Sequence, residues 1–176
     1  MAEALEINSD SKNGIFMLHL KGVITEDSKL EGMLPKDAVP ACVVDLGQVT
    51  RINSYGIRQW VNTLKLLKEK APELVFTKCP TVLVEQFNMI SNFGAGGYVY
   101  SFFLPFYSET EDKEEQILVS LEKPRGSEDA DAIIEEAKSR LSQPDAFVFN
   151  DIEDEYFSFL QFQKQKSLSA QVLAVL

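Results

Sequence analysis

The sequence predicts an α/β protein, with a mixed, mostly parallel sheet flanked by helices and an acidic α+β extension towards its C-terminal end. Three observations lead there. Short apolar runs alternate with amphipathic stretches through the first half, the pattern of helices packed on a largely parallel sheet. Among them, Ala41-Cys42-Val43-Val44-Asp45-Leu46 reads as a central strand covered on both faces. Charge also divides the chain. Residues 1–93 carry ten basic and eleven acidic side chains, net −1, whereas residues 94–176 carry seven and sixteen, net −9. That asymmetry marks two parts with different surfaces, at 1–95 and 96–176.

The elements follow in order. Residues 14–24 read as a strand with Phe16, Leu18 and Leu20 on one face. Residues 27–33 suit a short helix or turn, and Pro35 and Pro40 bracket a loop. After the strand at 41–46, Ile57, Trp60, Val61, Leu64 and Leu67 line one stripe of a helix from Ser54 to Lys70, which Pro72 ends. Residues 73–77 are a second buried strand, and residues 82–93 a second helix with Val82, Leu83, Gln86, Phe87 and Ile90 in register. Further on, 98–107 and 116–121 form a hairpin joined by an acidic loop. Pro124-Arg125-Gly126 breaks the chain, and Ser127 caps a helix whose buried stripe is Ile133, Ile134, Ala137 and Leu141. Pro144 stops that helix, a short strand follows at 146–149, and a last helix begins near Glu153. The end, Val172-Leu173-Ala174-Val175-Leu176, is too apolar to stay exposed. It packs back on the domain or meets another subunit, and the C-terminal helix offers a surface for a homodimer.

Composition removes several classes of function. A net charge of −10 argues against binding a phosphate backbone, so nucleic acid is not an expected partner. One His and two Cys are too few for most zinc or iron–sulfur sites, and no metal or cofactor is expected. Cys42 and Cys79 read as buried small hydrophobes in a reducing compartment. Met1 to Asp10 lacks the apolar core of a signal peptide, which fits a cytoplasmic location. Residues 86–108 run 23 positions without a charge, long enough to span a bilayer. Asn88, Gly94-Ala95-Gly96-Gly97 and Pro105 interrupt them, so they read as a helix end, a glycine turn and a strand, with no membrane insertion. The glycine turn precedes no helix and lacks a lysine, which argues against a phosphate loop. His19, in mid-strand, is expected to be packed rather than catalytic. No catalytic constellation is visible, and the chain reads as a non-enzyme.

The segment with most functional content is Arg51-Ile52-Asn53-Ser54-Tyr55-Gly56-Ile57-Arg58. A strand ends at Leu46, a turn follows, and a polar cluster meets the start of a helix. That end presents unpaired N–H groups and partial positive charge, which stabilise an anion or a partner's carboxylate. Asn53 or Ser54 can cap it, and Gly56 lets another surface come close. Arg51, Tyr55 and Arg58 bring two guanidiniums and an aromatic ring to the cap, residue types that dominate interface hot spots.

These residues resemble a known family. Leu18-His19-Leu20-Lys21-Gly22-Val23-Ile24 with Glu26 is similar to the L-x-G-x-I opening of STAS domains, the fold of anti-sigma factor antagonists. Val43-Val44-Asp45-Leu46 with Val49-Thr50-Arg51-Ile52-Asn53-Ser54-Tyr55-Gly56-Ile57 resembles that family's strand, D-L and D-S-(S/T)-G pattern. The resemblance covers about residues 5–93. It implies a bacterial, cytoplasmic signalling module acting by protein–protein contact, with a kinase-like regulatory protein or another signalling protein as partner. The sequence departs from the pattern at two points. Tyr55 stands where the family's phosphorylated hydroxyl lies, and Asn53 replaces the preceding Asp. Ser54, one position earlier, becomes the candidate phosphosite.

Two further readings concern the second half. Ser108 and Glu111 stand where a zinc-knuckle hairpin would place a C-x-x-C pair, a degenerate relic without metal. Phe102, Phe103, Phe106 and Tyr107 motivate an alternative function, a domain holding a nucleotide or lipid between the sheet and this hairpin.

Overall fold

A computed structural model describes residues 4–176; Met1 to Glu3, part of the segment read for a leader, lie outside the described residues. Among the described residues, two sheets and five α-helices follow in chain order. β1 (Glu6–Lys12) and β2 (Ile15–Ile24) form an antiparallel hairpin across Asn13-Gly14, a sequence suited to a two-residue turn. A 3-10 turn at Leu30–Met33 leads to β3 (Ala41–Ile52), then α1 (Ser54–Lys70), β4 (Glu73–Thr77), α2 (Thr81–Met89) and β5 (Tyr98–Val99). The first sheet has the order β1-β2-β3-β4-β5, with one antiparallel pair and the rest parallel. The architecture is therefore α/β with a mixed sheet flanked by helices.

β6 (Ser101–Ser108) and β7 (Lys113–Ser120) form the expected hairpin, but its first strand does not begin at 98: Tyr98–Val99 pair with β4 in the first sheet instead. α3 (Ala130–Lys138) follows, and β8 (Val148–Phe149) pairs antiparallel with β6 to complete a three-stranded sheet. α4 (Glu153–Tyr156), a 3-10 turn at Ser158–Phe162 and α5 (Ala170–Leu173) end the chain. The predicted last helix is thus one short α-turn and one 3-10 turn.

The first sheet is covered on both faces. Leu18, Leu20, Val44, Leu46, Leu74 and Phe76 lie buried beneath Trp60, Leu64 and Leu67 of α1 and Leu83 and Val84 of α2. The same core continues without a break into Phe102, Leu104, Phe106, Ile133, Phe157 and Leu160, so residues on either side of position 95 share one hydrophobic interior. On the opposite face, Val172 and Val175 cover Ile15, Ala41, Val43 and Val75. The apolar tail packs back on its own sheet. Lys12 Nζ donates to the Val175 carbonyl at 3.4 Å, and the Ser169 amide donates to Glu73 Oε1 at 2.7 Å.

Several expectations need correction. The sequence does not show β1, because Glu6–Lys12 is polar and lies at an exposed edge, where no apolar alternation is required. β3 does not end at Leu46; it runs six residues further, and the turn expected there is strand. Register against β2 slips between His19/Lys21 and again between Gly22/Val23, so β3 carries extra residues as bulges. Asp45 Oδ1 accepts from the Gly47 amide at 2.9 Å, and Gly22 adopts φ +104° beside the second slip. α2 stops at Met89 rather than Phe93, because Ile90 turns to extended backbone at the C-cap; Asn92 then adopts the left-handed region and the ring of Phe93 packs on Trp60. Ser127 opens a 3-10 turn and is not the cap: Asp129 Oδ2 accepts from the Gly126 amide, and α3 begins at Ala130.

Candidate functional site

The tip of α1 is fastened to the end of β2 by three contacts. Asn53 holds extended backbone angles at the N-cap, and its Oδ1 accepts from the Gly56 amide at 2.7 Å. Its Nδ2 donates to Glu26 Oε2 at 2.7 Å, and its backbone amide donates to the Ile24 carbonyl at 3.1 Å. Gln59 Nε2 adds a bond to the Glu26 carbonyl at 2.8 Å. The hydrogen bond from Asn53 holds the exposed Glu26 carboxyl below its ordinary pKa.

Gly56 is buried, and a Cβ there would sit 2.4 Å from the Ile24 carbonyl oxygen. The surface that approaches this glycine closely is the chain's own β2 end. Asn53 and Gly56 thus position the helix tip, and the groups left facing solvent are Ser54, Tyr55 and Arg58, with Arg51 exposed near the end of β3. Tyr55 is 67% exposed, unusual for a large ring on a tip held so firmly. Tyr55 and Arg58, three residues apart, share one helix face. No carboxylate lies in the first turn of α1, so its positive end is not neutralised from within the helix. Beside it, residues 26–31 with Gln59, Asn62 and Thr63 line a shallow polar groove of about 380 Å³.

His19 is not packed; its side chain is 45% exposed and stands between two carboxylates. Nε2 lies 3.5 Å from Asp10 Oδ2 and Nδ1 3.8 Å from Asp45 Oδ2, which also pairs with Lys78 Nζ at 2.7 Å. His19, Asp45 and Lys78, with Phe103 and Gln48, line a cleft of about 330 Å³ between the first sheet and β6. The register His19↔Asp45 across β2 and β3 brings two of these groups together, and β1 supplies Asp10. The exposed Lys78–Asp45 ion pair contributes about 0–1 kcal/mol.

The aromatic residues of the hairpin divide. Phe102 and Phe106 are buried, against Phe157 and Phe159 and against Phe149 respectively, while Phe103 and Tyr107 are half-buried. Ser108 is buried and its Oγ accepts from the Glu111 amide at 3.3 Å, closing the hairpin turn. Cys42 and Cys79 are both buried and unpaired; burial pushes the Cys42 thiol up to about 12 and Cys79 higher still. Among the described residues no helix is long and apolar enough to cross a membrane. No family model and no curated protein matches this chain.

Proposed function

We propose that this chain is a STAS-like, non-enzymatic regulatory module of the bacterial cytoplasm that works by protein–protein contact at the tip of α1. The observation that carries the reading is the 67% exposure of Tyr55 on a helix end locked by Asn53 and Gly56. A rigid tip presents its side chains at little entropic cost on binding. Tyr55 and Arg58 are the anchors, with Ser54 and Arg51 beside them and Asn53 and Gly56 holding the platform. The partner is a kinase-like or other signalling protein that meets the tip with acidic groups, and the acidic second half of the chain tunes partner choice. With Tyr55 at the family's phosphorylation position, modification moves to Ser54, whose phosphate would lie at the positive end of α1.

Pull-down from the native organism, followed by mass spectrometry and phosphosite mapping, tests this. The double variant Tyr55→Ala/Arg58→Ala should lose the specific partner while its melting temperature stays within a degree or two of the parent. Unchanged recovery of that partner would overturn the reading. The alternative, a nucleotide or lipid held between sheet and hairpin, draws support from the cleft at His19, Lys78 and Phe103. A thermal-shift screen separates it, since a ligand at a hundred times its dissociation constant adds about 2.7 kcal/mol.

A further inference from the structure

A second cleft, of about 540 Å³, opens between α2, the 94–97 turn, β5 and the C-terminal 3-10 turn. Its volume falls within the range of small-molecule sites. Phe87, Ile90, Phe93, Val99 and Phe159 supply apolar walls. Met89 and Phe162 stand at it with 77% and 76% exposure, the highest values among the large hydrophobic side chains of the described residues.

The polar side chains within it are mostly committed to the protein. Asn88 donates to the Tyr156 carbonyl and accepts from Ser158 Oγ and the Phe159 amide. Gln163 uses its amide on Val99 in both directions. Ser91 and Asn92 are exposed at the rim. Lys166 is different: its Nζ donates to the Gly96 carbonyl at 2.8 Å, which occupies one of three donors. Burial lowers the pKa of Lys68 on α1, the charge of Lys166 lowers it further and Glu73 raises it, while burial alone lowers that of Lys166. Apolar walls with a cationic end are complementary to an apolar body with one anionic head.

We infer that this cleft binds a medium-chain aliphatic carboxylate, its chain along Phe87, Ile90, Phe159 and Phe162 and its head on Lys166. A carboxylate there accepts hydrogen bonds from the two Lys166 donors not used on Gly96. The chain covers Met89 and Phe162. This inference is independent of the α1 tip.

Calorimetry on the full chain with dodecanoate and dodecylammonium below their micelle thresholds and 1-dodecanol below its solubility limit tests it. Dodecanoate should bind saturably at 1:1 and at least tenfold more tightly than the other two. Lys166→Gln should bring dodecanoate down to the level of the alcohol, and Phe162→Ala should weaken both at least threefold. Should Lys166→Gln fail to fold, amide shift mapping on the parent protein decides. Shifts confined to Gly96, Gly97, Val99 and Phe159 support the site, and shifts centred elsewhere overturn it. Absence of saturable binding, equal affinity for all three probes, or an unaffected Lys166→Gln variant also overturns it. Tyr55→Ala/Arg58→Ala should leave dodecanoate binding unchanged, which keeps this test separate from that of the partner surface.

Discussion

Gln163 closes the edge of the first sheet at Val99 with its side chain alone. Its Nε2 donates to the Val99 carbonyl at 2.8 Å and its Oε1 accepts from the Val99 amide at 2.9 Å, imitating a neighbouring strand. Both residues are buried, so without this carboxamide two backbone polar groups would lie dry and unpaired. Gln163→Leu should therefore cost about 2–4 kcal/mol in denaturant unfolding, because a lost partner exposes the full desolvation penalty of each group. A change under about 0.5 kcal/mol would show that water replaces the side chain freely.

The tip of α1 should separate into platform and contact residues. Gly56→Ala places a methyl 2.4 Å from a backbone oxygen that cannot swing aside, and should destabilise by about 1–3 kcal/mol. Tyr55→Ala touches an exposed ring and should stay within about 0.5 kcal/mol. Equal midpoints for the two variants in a urea titration would contradict this division.

Asn53 links the cap to Glu26, and pH reports on the link. The Glu26 carboxyl titrates below its unfolded value near 4.3 because Asn53 donates to its charged form. A depressed folded pKa gives stability that is present above the unfolded value and lost as pH falls through the folded one. Asn53→Ala should return the Glu26 titration, followed by carboxyl carbon NMR, to the ordinary range. It should also cost about 1 kcal/mol through the lost cap.

Both thiols should be inert while the fold is intact. Burial favours the neutral form of Cys42 and Cys79, so at pH 8 the reactive thiolate is scarce and no reagent reaches it. Modification by a disulfide reagent should proceed no faster than unfolding and become immediate in concentrated guanidinium. Rapid native labelling would mean that this core opens locally.

The tail should guard the second face of the sheet. Val172→Asp puts an unpaired charge against Ile15, Ala41, Val43 and Val75 and should release α5. The variant is expected to melt at a lower temperature and to self-associate through the uncovered strands, as light scattering would register.

Legibility followed the hydrophobic pattern. β4 was read to the residue because Leu74, Val75 and Phe76 are apolar on both faces, and α1 because Asn53, Pro72 and the Trp60-Leu64-Leu67 stripe mark its ends and inner face. β1 and the far half of β3 were not legible. Their backbone is held by pairing with β2, and the bulges of β3 place Gly47 and Thr50 where a lone strand would show a turn. At the site, the cap and residue types of the α1 tip were visible. That Gly56 faces Ile24 rather than a partner was not, because it depends on where β2 ends.

Local sequence determined the alternation of strands and helices, the cap at Asn53 and the turn at Asn13-Gly14, since each depends on interactions within a few residues. Tertiary structure alone decided that the C-terminal tail covers the second face of the first sheet, that His19 meets Asp10 and Asp45, and that Gln163 closes β5. Apart from His19–Asp10, which lies within one hairpin, these contacts join positions far apart in the chain, and nothing in either local sequence names its partner. They form because the core brings the two segments together and each buried polar group must then find a bond.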